Sequence, residues 1–147
     1  MLGLFNNYAA YVPAADDLLF KQGWYAATMR ALQLLGGSGL VGFNDLNRDG
    51  GELATHWYAT RDFLIEYNGG VIYTPHYRAW YCDPEVNERA KRAGAFIWAQ
   101  DAHVEHLHPN YGKAETDATY SSGAAHHAAD AALFARRQAA GFPDALS

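Results

Sequence analysis

An α/β fold follows from three features of this chain. Short β-prone runs alternate with helical periodicities, glycines mark most changeovers, and half of the residues are hydrophobic. The 147 residues have a mass of 16.2 kDa and suit a single domain over residues 1–147. A chain of this size buries roughly two-thirds of its unfolded surface. There is no internal repeat, and the only biased stretch is an Ala-rich tail.

Residues 8–12 form a β-prone run that stops at Pro13. Asp16 and Asp17 follow, and residues 18–35 read as a helix because Leu19, Trp24, Ala27, Ala31 and Leu34 recur near helical spacing. Gly36, Gly37 and Gly39 end it, and residues 40–43 read as a buried strand. Residues 44–51 are a polar turn, 53–59 a strand, and 61–67 a short helix closed by Asn68-Gly69-Gly70. An aromatic, irregular segment spans 73–81. A helix then runs from Asp83 to Ala93, with Asp83 suited to the N-cap and Pro84 to the first turn. Residues 95–99 and 103–107 are two short strands, and 115–140 a mostly helical tail.

Composition limits the function classes. Eleven Lys and Arg against sixteen Asp and Glu give a formal charge of −5, which argues against non-specific nucleic-acid binding. No apolar run reaches the ~20 residues of a membrane span, and the start lacks the basic residues of a signal peptide. A single cysteine, Cys82, excludes an internal disulfide and suits a cytoplasmic location. Aromatics make up 14%, a surplus that fits a ring- or sugar-binding cleft as well as plain packing.

Three constellations carry candidate chemistry. Asp16-Asp17 after a strand pairs two carboxylates whose repulsion a cation would offset; the other reading is a helix cap. Asp83-x-Glu85 places a possible general base at a helix start, where capping is the alternative and Glu88 can pair with Arg92. In His103-x-x-His106-x-His108, strand alternation puts His106 and His108 on one face and His103 and Glu105 on the other. That supplies one or two metal ligands, not a zinc cluster. His126-His127 reads as surface. Asp45-x-Asn47-x-Asp49-Gly50 matches half of an EF-hand loop, but His56 stands where the bidentate Glu belongs, so a polar turn accounts for it better.

In order, these pieces resemble the second half of a GT-A glycosyltransferase of the family 2 kind. The matching residues are Ala15-Asp16-Asp17-Leu18-Leu19-Phe20 with Gly23-Trp24, Val41 to Asp45, Ala54 to Arg61 with Gly69-Gly70, Tyr81 to Val86 with Arg89-Ala90 and Gly94, and Val104 to Pro109. The stretch spans roughly residues 8–120. Its end, Gly112-Lys113-Ala114 with Asp117 to Tyr120, is similar to phage and bacterial members of that group.

The resemblance implies a partial GT-A-like mixed sheet with flanking helices. It implies a sugar transferred from a nucleotide-sugar to a hydroxyl acceptor with Mn²⁺ or Mg²⁺. Asp17 and His106 would hold the metal with Asp16 beside them, and Asp83 would be the base with Glu85 as fallback. His56, Trp57, Trp24 and His108 would contact donor or acceptor. Ala15 stands where the first acidic residue of the metal motif belongs, and Cys82 replaces the usual acidic residue before Asp83.

In that family a nucleotide-binding half precedes the acidic motif, whereas here fifteen residues precede Asp16. The expectation is that the chain is a fragment, is completed by a partner chain or self-association, or has put the machinery to another use. It would then be inactive alone. The reading from another class is a non-catalytic glycan-binding or oligomeric module. A metal-dependent hydrolase using the same groups is a third.

Overall fold

The computed structural model describes residues 8–47, 53–115 and 123–143. Its elements, in chain order, are strands β1 (Ala10–Tyr11) and β2 (Leu18–Phe20), helix α1 (Trp24–Leu34), strands β3 (Leu40–Asn44) and β4 (Trp57–Thr60), helices α2 (Arg61–Tyr67) and α3 (Cys82–Arg92), and strand β5 (Phe96–His106). A single 3₁₀ turn, Pro109–Tyr111, and helix α4 (His127–Ala139) follow. The α/β class is as expected from the sequence.

The five strands form one mixed sheet in the order β1-β4-β3-β5-β2. β3 lies parallel to β5 and antiparallel to β4, and β2 closes the far side antiparallel to β5. Side-chain alternation on β3 divides the core in two. Leu40 packs with Trp57, Ala59, Phe63, Leu64, Val86 and Ala90 toward α2 and α3. Val41 and Phe43 pack with Ala27, Ala31, Ala99 and Val104 toward α1. Each large side chain fully buried in these layers contributes about 1.5–3 kcal/mol.

Four local details differ from the sequence reading. Residues 18–20 are strand, not helix: they pair with residues 104–106, and Gly23 at φ 85° turns the chain before α1 begins. Residues 53–56 precede β4, which covers only Trp57–Thr60. The expected two strands at 95–107 are one strand, irregular where the β3 partners jump from Ala99 to His103. α3 begins one residue early, with Tyr81 (φ 69°) at the N-cap position, so Asp83 sits in the first turn. Its side chain is thereby released from capping.

Other expectations match, among them α2 over residues 61–67; Thr60, which the sequence reading does not single out, caps it by accepting the Phe63 N–H. Asp45 Oδ1 accepts the Asn47 N–H in a polar turn; residues 48–52 lie outside the described set, as do 116–122 of the expected helical tail. Among the described residues no helix is long and apolar enough to cross a membrane.

Candidate functional site

Parallel β3 and β5 end on the same side of the sheet, and antiparallel β2 and β4 begin there. Asp17, Asp45, His56 and His106 are therefore brought to one sheet end from four separate stretches of sequence. The backbone fixes their places. Leu107 N–H donates to Asp17 O at 2.9 Å, and His106 N–H donates to Asp45 O at 3.2 Å. Asn47 Nδ2 donates to His106 O at 2.8 Å.

The resulting contact is direct: His106 Nε2 lies 3.0 Å from Asp17 Oδ2. The His56 ring stands edge-on to that of His106 at 4.5 Å between centroids, and the His108 ring approaches His106 at 4.9 Å. Three imidazoles thus line up behind one carboxylate. His56 is buried, and its Nε2 has no hydrogen-bond partner among the described residues. Burial first, then the neighbouring His106 imidazole, lowers its pKa to about 4, against the opposing pull of Asp17 and Asp45. His56 is therefore neutral at physiological pH. Asp16, beside the pair in sequence, is exposed.

A second group forms around Asp83. Tyr73 Oη donates to Asp83 Oδ1 at 2.8 Å, and Trp57 Nε1 donates to the same oxygen at 3.1 Å. Burial pushes the Asp83 carboxyl up to about 6, although both hydrogen bonds favour the carboxylate. The group is thus mostly ionised at neutral pH yet able to take a proton, the condition a general base needs. Burial and the adjacent carboxylate keep Tyr73 protonated. Trp57, expected to face the sugar or acceptor, has no exposed surface and reaches the site only through this indole N–H. His56 and Trp57 are chain neighbours at the start of β4, and strand alternation separates the two groups: Trp57 and Asp83 lie on the α2–α3 face, whereas His106 continues the row of Ala102 and Val104 on the α1 face.

The remaining candidates are placed elsewhere. Glu85 is buried and accepts from Arg137 (2.8 and 2.9 Å), Arg89 (2.9 and 3.0 Å) and Tyr77 (2.7 Å). These partners together hold its carboxyl below the usual range, despite burial. Trp24 packs between Phe20 and Phe43 at ring distances of 4.7 and 5.7 Å. Glu105, on the face opposite His106, pairs with Lys21 and Lys113.

Sequence reasoning missed Tyr73 and Asn47. Tyr73 lies in a segment without periodicity, and Asn47 reads as part of the polar turn. Asp17 and His106 bring one carboxylate oxygen and one imidazole nitrogen together. Among the described residues no set of three or more His, Cys, Asp or Glu side chains converges as a metal-holding group. Comparison with protein-family models, curated proteins and solved structures gives no match to this chain.

Proposed function

We propose that this chain is the metal- and acceptor-side half of a GT-A-like glycosyltransferase, moving a sugar from a nucleotide-sugar to a hydroxyl acceptor. The supporting observation is the meeting of Asp17 and His106 at one sheet end; a second, independently held and partly protonatable carboxylate, Asp83, lies on the α2–α3 face of the same sheet. Two carboxylates in such different surroundings suit two different tasks.

Asp17 and His106 are the residues that would hold a divalent ion. A two-donor set fits a cation that keeps several waters and takes substrate phosphates as its other ligands. The imidazole nitrogen favours Mn²⁺ over the oxygen-demanding Mg²⁺. When bound, the ion supplies charge neutralisation at the departing diphosphate. Asp83 takes the acceptor proton. Its Oδ1 is held by Tyr73 and Trp57, and Oδ2 is the oxygen that would take the proton. The nucleotide pocket would come from outside the sheet described above.

A titration with Mn²⁺, in the presence and absence of UDP or GDP, tests this reading. Binding that strengthens with nucleoside diphosphate and weakens in Asp17→Asn is expected. Indifference to both overturns it.

A second reading, a self-associating binding module, draws on a different observation. Leu19 and Phe20 on the outermost strand are exposed, and so are Tyr25 and Leu34 on α1, the last at 79%. Light scattering at micromolar concentration distinguishes a monomer from an oligomer.

A further inference from the structure

We propose that Asp130, on the C-terminal helix α4, is a positioning residue for Asp83, acting by clamping the segment that holds it. The proposal rests on the reading of Asp83 as the base. Its geometry is independent of that reading.

Asp130 is buried, with 3% of its surface exposed. Its carboxylate accepts the backbone N–H groups of three successive residues: Arg78 at 3.2 Å to each oxygen, and Ala79 and Trp80 at 2.9 Å. A carboxylate so satisfied stays ionised and binds the turn strongly. The turn leads directly into Tyr81, the left-handed residue that starts α3, and Asp83 follows two residues later. Trp80 is fixed again through its indole N–H, which donates to Gly123 O at 2.7 Å.

The same helix grips the other side of that first turn. One helical face carries both Asp130 and Arg137, seven residues apart, and Arg137 forks onto Glu85. Tyr77, from the clamped segment, donates to Glu85 as well. The segment 73–81 is therefore held through Tyr73 on Asp83, Tyr77 on Glu85, residues 78–80 on Asp130 and the Trp80 indole on Gly123. The first of these touches the proposed base directly. The others decide whether Tyr73 stays in place on it. Without Asp130, three amides lose their acceptor, the segment loosens, and water reaches the Asp83 carboxyl.

Two spectroscopic signals of the full chain report on Asp83 without any activity assay. They are the Asp83 carboxyl carbon titration and the resonance of the Trp57 indole N–H that donates to it. The titratable groups coupled to Asp83 are Tyr73 and Cys82, both held protonated at neutral pH by burial. In Asp130→Ala the Asp83 midpoint should fall by about one pH unit toward the ordinary carboxylate range, and the indole signal should move with it. Asp130→Asn, which keeps one acceptor oxygen, should fall between. Ala31→Gly, a destabilising change in the α1 layer, should leave both signals in place.

Folded Asp130→Ala with both signals at their wild-type positions overturns the proposal. So does an equal shift in Ala31→Gly, which would make the effect one of general loosening. If Asp130→Ala does not fold, Asp130→Asn decides by the same two signals. Failure of the base reading looks different: Asp83→Asn would leave transfer intact while Asp130 still controlled the Asp83 titration.

Discussion

The Asp17 carboxylate and the His106 imidazole, 89 positions apart in the chain, face each other at 3.0 Å. The register of β2 against β5 brings them together. Leu18 pairs with His106, and the Leu107 N–H donates to Asp17 O. The pair therefore depends on three residues of strand where local periodicity indicated helix.

Asp17→Asn should weaken Mn²⁺ binding by at least about 10-fold, judged against the 10–100-fold typical of losing even an outer partner of a metal ligand. His106→Gln should do the same. Calorimetric titration against the folded variants measures it, and wild-type affinity in both would remove the metal from the site.

What was legible in the sequence was whatever local chemistry decides. Asn68-Gly69-Gly70 as a stop and residues 40–43 as a buried strand both follow from residue type and punctuation. The errors share a cause, which is partners distant in sequence. Residues 18–20 have helical spacing, but pairing with β5 outweighs propensity. The available warning was Gly23, a poor residue for the middle of a helix. Asp83 has the character of a cap, but a left-handed Tyr81 shifts the helix start and frees its side chain for Trp57 and Tyr73. Asp130 sits in an Ala-rich run with no local signal, and its partners lie about fifty residues away.

Gly42 tests the packing at the centre of the sheet. It pairs with Trp57 across β3 and β4, and a Cβ there would lie 2.5 Å from Ala54 Cβ. Gly42→Ala should cost about 1–3 kcal/mol as an overpacking change. Chemical denaturation gives the value, and an unchanged midpoint would mean that residues 53–56 yield easily.

Glu85 should matter most for stability. It is buried with two arginines and Tyr77 on it. Glu85→Gln strands the Arg137 charge and should destabilise by about 3 kcal/mol or more. In Arg137→Gln the same substitution should cost less, because Arg89 alone is then left facing the lost charge. Additive effects of the two changes would show that the pair is not coupled.

Asp83 joins a stability prediction to a catalytic one. Its folded pKa, about 6, exceeds the ordinary 3.8. The folded state thus binds the proton more tightly than the unfolded chain, and stability is lost as pH rises from about 4 to about 6. The shift corresponds to roughly 3 kcal/mol. His56, neutral in the fold down to about 4, acts oppositely over an overlapping window, so the wild-type curve alone conceals the effect. The difference between wild type and Asp83→Asn isolates it: the variant should gain stability relative to wild type as pH rises from 4 to 7. A flat difference would mean that water already reaches the carboxyl. On transfer, the same variant should lose about 10²–10⁴-fold in turnover with Mn²⁺ binding nearly intact, because a base acts only as the proton moves. Glu85→Gln, compared at a temperature where it is folded, should lose less. Full transfer by Asp83→Asn would rule out this carboxylate as the base, even where the stability difference holds.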